Sequence, residues 1–192
     1  RSGTEVLTLP GVRVFRLGVD LDARRAELRK KLEKAEPTRY IDFGTPESDV
    51  HKLTGFRFAE HYPGVPGFCW SVARQLQRTV LTKRGLEYRN DAPPSYESTI
   101  LVRFDQSRDQ RIKLVTWAAI EDQTLAATID GKTVLPTHAM GPAQTRQEIS
   151  FVVPKELVAG DPVKELVFSF RGVADYGGGV AFAIMNIDPV EP

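Results

Sequence analysis

The chain of 192 residues has one cysteine, no excess of either charge and no long apolar run, and each shortage removes a class of protein. With Cys69 alone there is no internal disulfide and no cysteine cluster for a metal, so the fold needs some other source of stability. The redox compartment stays open. Its 26 basic and 25 acidic side chains are mixed along the sequence and leave a net charge of +1. Such a balance gives no extended field for phosphate backbones or anionic lipid, and nucleic acid is not expected as a partner. No segment approaches the roughly 18 apolar residues that a membrane helix needs. The opening Arg1-Ser2-Gly3 has neither a methionine nor the apolar core of a signal peptide. It reads as an internal boundary of a longer protein, such as the soluble part of a membrane-anchored one.

What the sequence does contain is alternation. From residue 39 to 187, apolar residues recur at every second position between Pro- and Gly-rich breaks, as in Thr99-Ile100-Leu101-Val102-Arg103-Phe104, and Asp130-Gly131 sits between two such runs like a hairpin turn. Strands are expected over 39–43, 53–58, 68–74, 76–81, 99–104, 111–120, 124–129, 133–135, 147–153, 165–170 and 180–187. Their spacing predicts an all-β, antiparallel, jelly-roll-like β-sandwich. No helical layer interrupts the series, which disfavours a parallel α/β enzyme.

Ahead of the strands, residues 5–19 carry a short apolar stretch with a turn at Pro10-Gly11, and Asp20-Leu21-Asp22 offers capping carboxylates for a helix reaching about Glu36. Leu21, Leu28, Leu32 and Ala35 form its narrow apolar stripe, Pro37 ends it, and mixed Arg, Lys and Glu cover the rest. Residues 1–38 are therefore expected as an extension with one amphipathic helix, and 39–192 as the sandwich domain. At this length the sandwich can bury a sizeable core unaided.

No catalytic or cofactor signature stands out. The nucleophile elbow G-x-S-x-G is absent, the three histidines His51, His61 and His138 are widely spaced, and no close His or Cys pair suggests zinc. Cys69 alternates with Phe68 and Trp70 in a strand, the setting of an inert thiol. Calcium is the one metal the loop acids could hold, should Asp42, Glu47, Asp49 and Asp188 converge. Asp175-Tyr176-Gly177-Gly178-Gly179 looks like a phosphate cradle, yet a strand follows it where a cradle needs a helix. The basic residues Arg103, Arg108, Arg111 and Lys113 surround a turn together with Asp105 and Asp109, without aromatics for base stacking.

The loop 58–70 is the best ligand candidate. Glu60, His61 and Tyr62 lie in a Pro- and Gly-rich stretch followed by Trp70, and sugar recognition pairs aromatic faces with hydrogen-bonding groups of this kind. Trp70 shares its alternating face with Phe68 and Val72 and is expected mainly in the core, as is Trp117. Glu60 and His61 are also the only acid/base pair that an enzyme could use.

The order Ile41-Asp42-Phe43-Gly44, then Leu53-Thr54-Gly55-Phe56 with Glu60, then Phe68-Cys69-Trp70-Ser71, resembles a β-sandwich module found beside bacterial cell-envelope glycosyltransferases and other membrane proteins of polysaccharide synthesis. Ile129-Asp130-Gly131-Lys132, the run Phe151 to Val158 and Gly179 to Ile184 are similar to its later parts, so that about 150 residues are covered. The resemblance implies a non-catalytic, extracytoplasmic, carbohydrate-binding role within a larger envelope protein, with a glycan as ligand and a membrane-embedded remainder on the same polypeptide. Thr45 to Lys52, Ala118 to Gln123 and the helix depart from the pattern. Two other readings stay open. One is a polysaccharide lyase or glycoside hydrolase of sandwich fold, the other an interaction module in an envelope assembly. No cofactor is expected beyond the calcium already named.

Overall fold

A computed structural model describes the backbone of residues 4–9, 12–16, 20–54, 56–59, 68–71, 78–82, 85–89, 96–118, 121–171 and 180–191, with side chains over 20–54, 97–118, 121–171 and 180–191. The chain begins with a hairpin of β1 (Thr4–Leu9) and β2 (Val12–Arg16), consistent with the turn read at Pro10-Gly11. Helix α1 (Leu21–Leu32) follows. Its first turn is capped by Asp20, whose Oδ1 accepts the amides of Asp22 and Ala23, both at 3.1 Å. It ends four residues before Glu36, where the amides of Lys34 and Ala35 turn to the carbonyls of Lys31 and Leu32, and the Arg103 guanidinium donates to the carbonyls of Leu32 and Glu33 at 3.3 and 2.6 Å. The apolar stripe narrows accordingly to Leu28 and Leu32, while Ala35 is exposed.

Two antiparallel sheets form the body. The first has the order β13 (Gln147–Val153), β10 (Gln110–Ala118), β15 (Val180–Pro189), β6 (Phe68–Ser71), β5 (Phe56–Ala59), with β3 (Tyr40–Asp42) also paired to β15. The second has the order β12 (Lys132–Ala139), β11 (Thr124–Ile129), β14 (Val163–Arg171), β9 (Tyr96–Arg103), β4 (Lys52–Thr54). A further hairpin joins β7 (Arg78–Thr82) to β8 (Gly85–Arg89). Inward residues of both sheets fill one core. Ile112, Leu114, Met185 and Ile187 come from the first, and Ile100, Val102, Leu125 and Leu166 from the second. The Phe182 ring bridges the layers, 5.0 Å from Phe168 and 5.6 Å from Phe43. The chain thus adopts the all-β antiparallel sandwich with one helix that the alternation predicts.

Asp130 and Gly131 both take positive φ, +50° and +74°, as the two central residues of a tight hairpin turn require, and β11 pairs with β12 around them. The sequence reading names no strand at β1, β2 or β8, and it departs from the structure at two of the strands it does name. The run expected over 53–58 divides: Lys52–Thr54 pairs with β9 in the second sheet, and Phe56–Ala59 pairs with β6 in the first. A strand that changes layers turns a corner of the sandwich, and alternation alone does not reveal where. The strand expected to stop at Leu135 runs through Pro136 to Ala139, because β12 is the edge of its sheet and an edge tolerates a missing amide.

Helix α1 lies on the outer side of the second sheet, where Leu28 and Leu32 pack against Leu53, Leu101 and Val163. That apolar contact is small, and arginines reinforce it. Arg24 donates to the carbonyl of Lys52, Arg25 pairs with Glu165, and Arg29 reaches Asp161 and the carbonyl of Val163. One side of the second sheet is therefore covered by a charged helix.

Candidate functional site

Among the described residues no helix lies on the outer side of the first sheet, which divides into two halves. The dividing point is in β15. Val115 stands opposite Ile184 and Thr116 opposite Phe182, so Ala183 is an extra, bulged residue. On one side of it, Val115, Trp117, Ala181 and Ala183 form a buried outward cluster with Ile184 against it, and Trp117 is 5% exposed. At this level β6 pairs with β15, Trp70 opposite Ala181 and Cys69 opposite Phe182, and β5 pairs with β6, Arg57 opposite Trp70. The side chains of β5 and β6 lie outside the described residues.

The other half is open and polar. Ser150, Lys113, Asn186 and Tyr40 stand opposite one another on β13, β10, β15 and β3. Lys113 alternates with the core residues Ile112 and Leu114, and Asn186 with Met185 and Ile187, so the row faces outward. Tyr40 is 52% exposed, and Val152, at 38%, is the other exposed large hydrophobic among the described residues. Around the row stand Asp42 opposite Ile184, Glu148 opposite Val115, and Arg111 opposite Asp188. Lys113 Nζ lies 3.5 Å from the Asp188 carboxylate. The result is an exposed aromatic ring among both donors and acceptors. Sequence reading placed 39–43 in a strand but passed over Tyr40 as a candidate aromatic, because its face depends on pairing with β15, nearly 150 residues later in the chain.

Glu60, His61 and Tyr62 lie outside the described residues, but the flanks of their loop are fixed. Ala59 pairs with Phe68, and Cys69 pairs with Phe182. On the same edge of β15, the Phe43 amide donates to the Ala183 carbonyl at 2.8 Å, next to the pairing of Cys69 with Phe182. The Asp175–Gly179 stretch also lies outside the described residues.

The described histidines form no catalytic pair. His51 is buried with Nδ1 2.8 Å from the Leu101 carbonyl, and burial holds its pKa below the usual imidazole value against the opposing pull of that hydrogen bond. His138 is exposed on β12. The acids considered for calcium are engaged separately: Asp42 Oδ1 accepts the Gly44 amide, Asp49 meets Lys52, and Asp188 meets Lys113. Glu47 is exposed in the 3-10 helix over 46–50. Among the described residues, no three His, Cys, Asp or Glu side chains gather as ligands. Of the basic residues around the turn, Arg103 holds the end of α1 and Arg108 approaches Asp105. A cleft between α1 and β14 contains Arg29, Lys164, Asp130 and Asp161, whose charges pair with one another, Arg29 with Asp161 and Lys164 with Asp130. That cleft fastens the helix.

No protein-family model and no curated protein matches the chain. Solved structures share its outline at low identity. A family 35 carbohydrate-binding module from Paenibacillus barcinonensis is 15% identical with a TM-score of 0.46, over 80% of this chain and 100% of that one. The CBM6cm-2 module of Cellvibrio mixtus lichenase 5A, in complex with cellotriose, is 12% identical with a TM-score of 0.43, over 81% and 100%. The Podospora anserina GH26-CBM35 β-(1,4)-mannanase is 10% identical with a TM-score of 0.45, over 82% of this chain and 29% of its own length. At these scores the likeness carries no argument, and the architecture rests on the strand pairing itself.

Proposed function

We propose that the chain is a non-catalytic glycan-binding module. The observation that carries this reading is Tyr40, half exposed on an open sheet face beside Asn186 and Lys113. A pyranose ring offers an apolar C–H face rimmed by hydroxyls, and an aromatic ring with flanking amide, ammonium and carboxylate groups complements both parts. In this reading Glu60, His61, Tyr62 and Trp70 belong to the same surface, since β5 and β6, between which they lie in sequence, pair into the first sheet. Residues 1–38 act as an extension and 39–192 as the binding domain. The context proposed is a larger, membrane-associated envelope protein of glycan synthesis, outside the cytoplasm, and the motif resemblance over about 150 residues supports it.

Calorimetric titration with oligosaccharides of envelope and plant polymers tests the ligand class. Binding that weakens in Tyr40→Ala supports the reading, and no heat with any glycan at millimolar concentration removes it. For the context, transmembrane segments or a glycosyltransferase domain in the same gene would agree, while a free-standing cytosolic reading frame would not.

A further inference from the structure

Asp130-Gly131 is the one Asp-Gly step in the sequence, and there is no Asn-Gly step. A glycine after an aspartate leaves the peptide nitrogen without a neighbouring Cβ to shield it, so that nitrogen can attack the side chain before it. The pair forms the tip of the β11–β12 hairpin, with φ of +50° and +74°. A Cβ built on Gly131 would meet no atom within 4 Å among the described residues. The Asp130 side chain is 56% exposed, whereas Lys164 on β14 is 12% exposed and holds the Asp130 Oδ2 at 2.7 Å. We infer that Asp130-Gly131 is a site of spontaneous backbone modification, the isomerisation of aspartate to isoaspartate, and that Lys164 restrains its rate. The inference stands apart from the glycan-binding reading.

The chemistry needs only water. The Gly131 nitrogen bonds to Asp130 Cγ, and one carboxylate oxygen leaves as water, taking the amide proton and a second proton from solvent. The five-membered imide then adds water at one of its two carbonyls. Addition at Cγ restores aspartate. Addition at the backbone carbonyl breaks its bond to the Gly131 nitrogen, so the main chain continues through Cβ and Cγ, and one proton returns to solvent. The exposure of Asp130 admits the water that this second step consumes. Lys164 opposes the first step. Its strand pairs with β11, Leu166 opposite Ile129, and its ammonium reaches the carboxylate from that side. To react, the carboxylate must turn one face to the Gly131 nitrogen, and a charge-assisted hydrogen bond restrains that turn. The product also bears on the fold. Isoaspartate adds one carbon to a two-residue turn beside the pair Ile129 and Lys132, and it moves the carboxylate from Cβ to Cα. Lys164 shares a cleft with Arg29 and Asp161, so a change at the hairpin tip reaches the seat of α1.

The test is incubation of the full chain at 37 °C and neutral pH over several weeks. Each sample is digested with an endoproteinase that cuts before aspartate but not before isoaspartate, and the peptides are weighed. The expected result is a growing fraction uncut between Ile129 and Asp130, with unchanged mass, that accepts a methyl group from an isoaspartyl carboxyl methyltransferase. Lys164→Met should raise the rate threefold or more. Lys164→Arg, which keeps a cation there, should stay within twofold of the parent. Asp130→Glu, whose longer side chain would have to close a six-membered ring, should give no such product at this bond. Melting curves taken first confine the comparison to folded protein, and Lys164→Gln replaces Lys164→Met should the latter melt below the incubation temperature. Aspartate that persists in both the parent and Lys164→Met overturns the inference. So does a rate in Lys164→Met equal to or below that of the parent, or a rate in Lys164→Arg as high as in Lys164→Met, since either takes the control away from the ion pair.

Discussion

Arg29 and Asp161 meet through two hydrogen bonds of 2.8 and 2.7 Å, and the same guanidinium donates to the Val163 carbonyl at 2.8 Å. They tie α1 to the start of β14. Burial pushes the Asp161 carboxyl upward, yet the hydrogen bonds from Arg29 and the Val163 amide outweigh it, and the group stays below its ordinary value of 3.8. Its folded pKa being depressed, this contribution is complete above that value and is lost as acid protonates the group. Both side chains are partly exposed, so Arg29→Met should cost only about 1–2 kcal/mol in chemical denaturation. Protease cutting within residues 20–35 should also accelerate.

His51 sets a second, higher pH window. Because burial lowers its folded pKa below the ordinary 6.5, the unfolded chain takes up the proton first. Stability should be full above that pH and should decline as pH falls below it, before the carboxylates titrate. His51→Gln, which can still donate to the Leu101 carbonyl, should flatten this part of the melting profile. An unchanged slope would show that His51 is not its source.

Lys52 is a buried cation, 7% exposed, whose ammonium donates to the Phe43 carbonyl at 2.9 Å and lies 3.3 Å from Asp49. It joins the end of β3 in one sheet to the start of β4 in the other. Lys52→Met keeps the stem but removes the charged hydrogen bond to the Phe43 carbonyl, at a cost of about 1–3 kcal/mol. Asp49→Asn, at an exposed partner, should cost much less. Equal losses in the two would contradict this assignment.

The two tryptophans offer a matched pair. Trp117 is buried, so Trp117→Ala should lose about 3–5 kcal/mol. Trp70, read from its apolar neighbours in the sequence as a core residue, is expected to behave similarly in thermal melts. A melting point near that of the parent, combined with weakened glycan binding, would instead make Trp70 part of the binding surface.

Much of the architecture was legible because it is local. The alternation over 124–129 and 147–153 gave both strands to the residue, Asp20 marked the helix start, and Asp130-Gly131 marked a hairpin. What the sequence concealed is set by distant partners. The end of α1 meets Arg103, some 70 residues onward, and the division at 54–56 depends on which sheet offers each half a neighbour. Tyr40 was hidden for the same reason: a three-residue strand has too few positions to declare its faces, and only its place opposite Asn186 shows that it points outward. Glu60, His61 and Tyr62, the ligand candidates of the sequence, lie outside the described residues, and only the pairing of β5 with β6 on either side of them is on view.

The single extra residue in β15 has a consequence for how this chain can change length. Ala181 and Ala183 point outward ahead of the bulge, Ile184 follows on the same side, and Met185 and Ile187 resume the inward phase. Deleting Ala183 would remove one of two consecutive outward residues, so that Phe182, Ile184 and Met185 would alternate inward, outward, inward and keep their places opposite Thr116, Val115 and Leu114. What the deletion would lose lies on the other edge of β15, where the Ala183 carbonyl accepts the Phe43 amide at 2.8 Å. A one-codon deletion at the bulge therefore spares the core and the open face, whereas the same deletion at Met185 would turn every following side chain of the strand over.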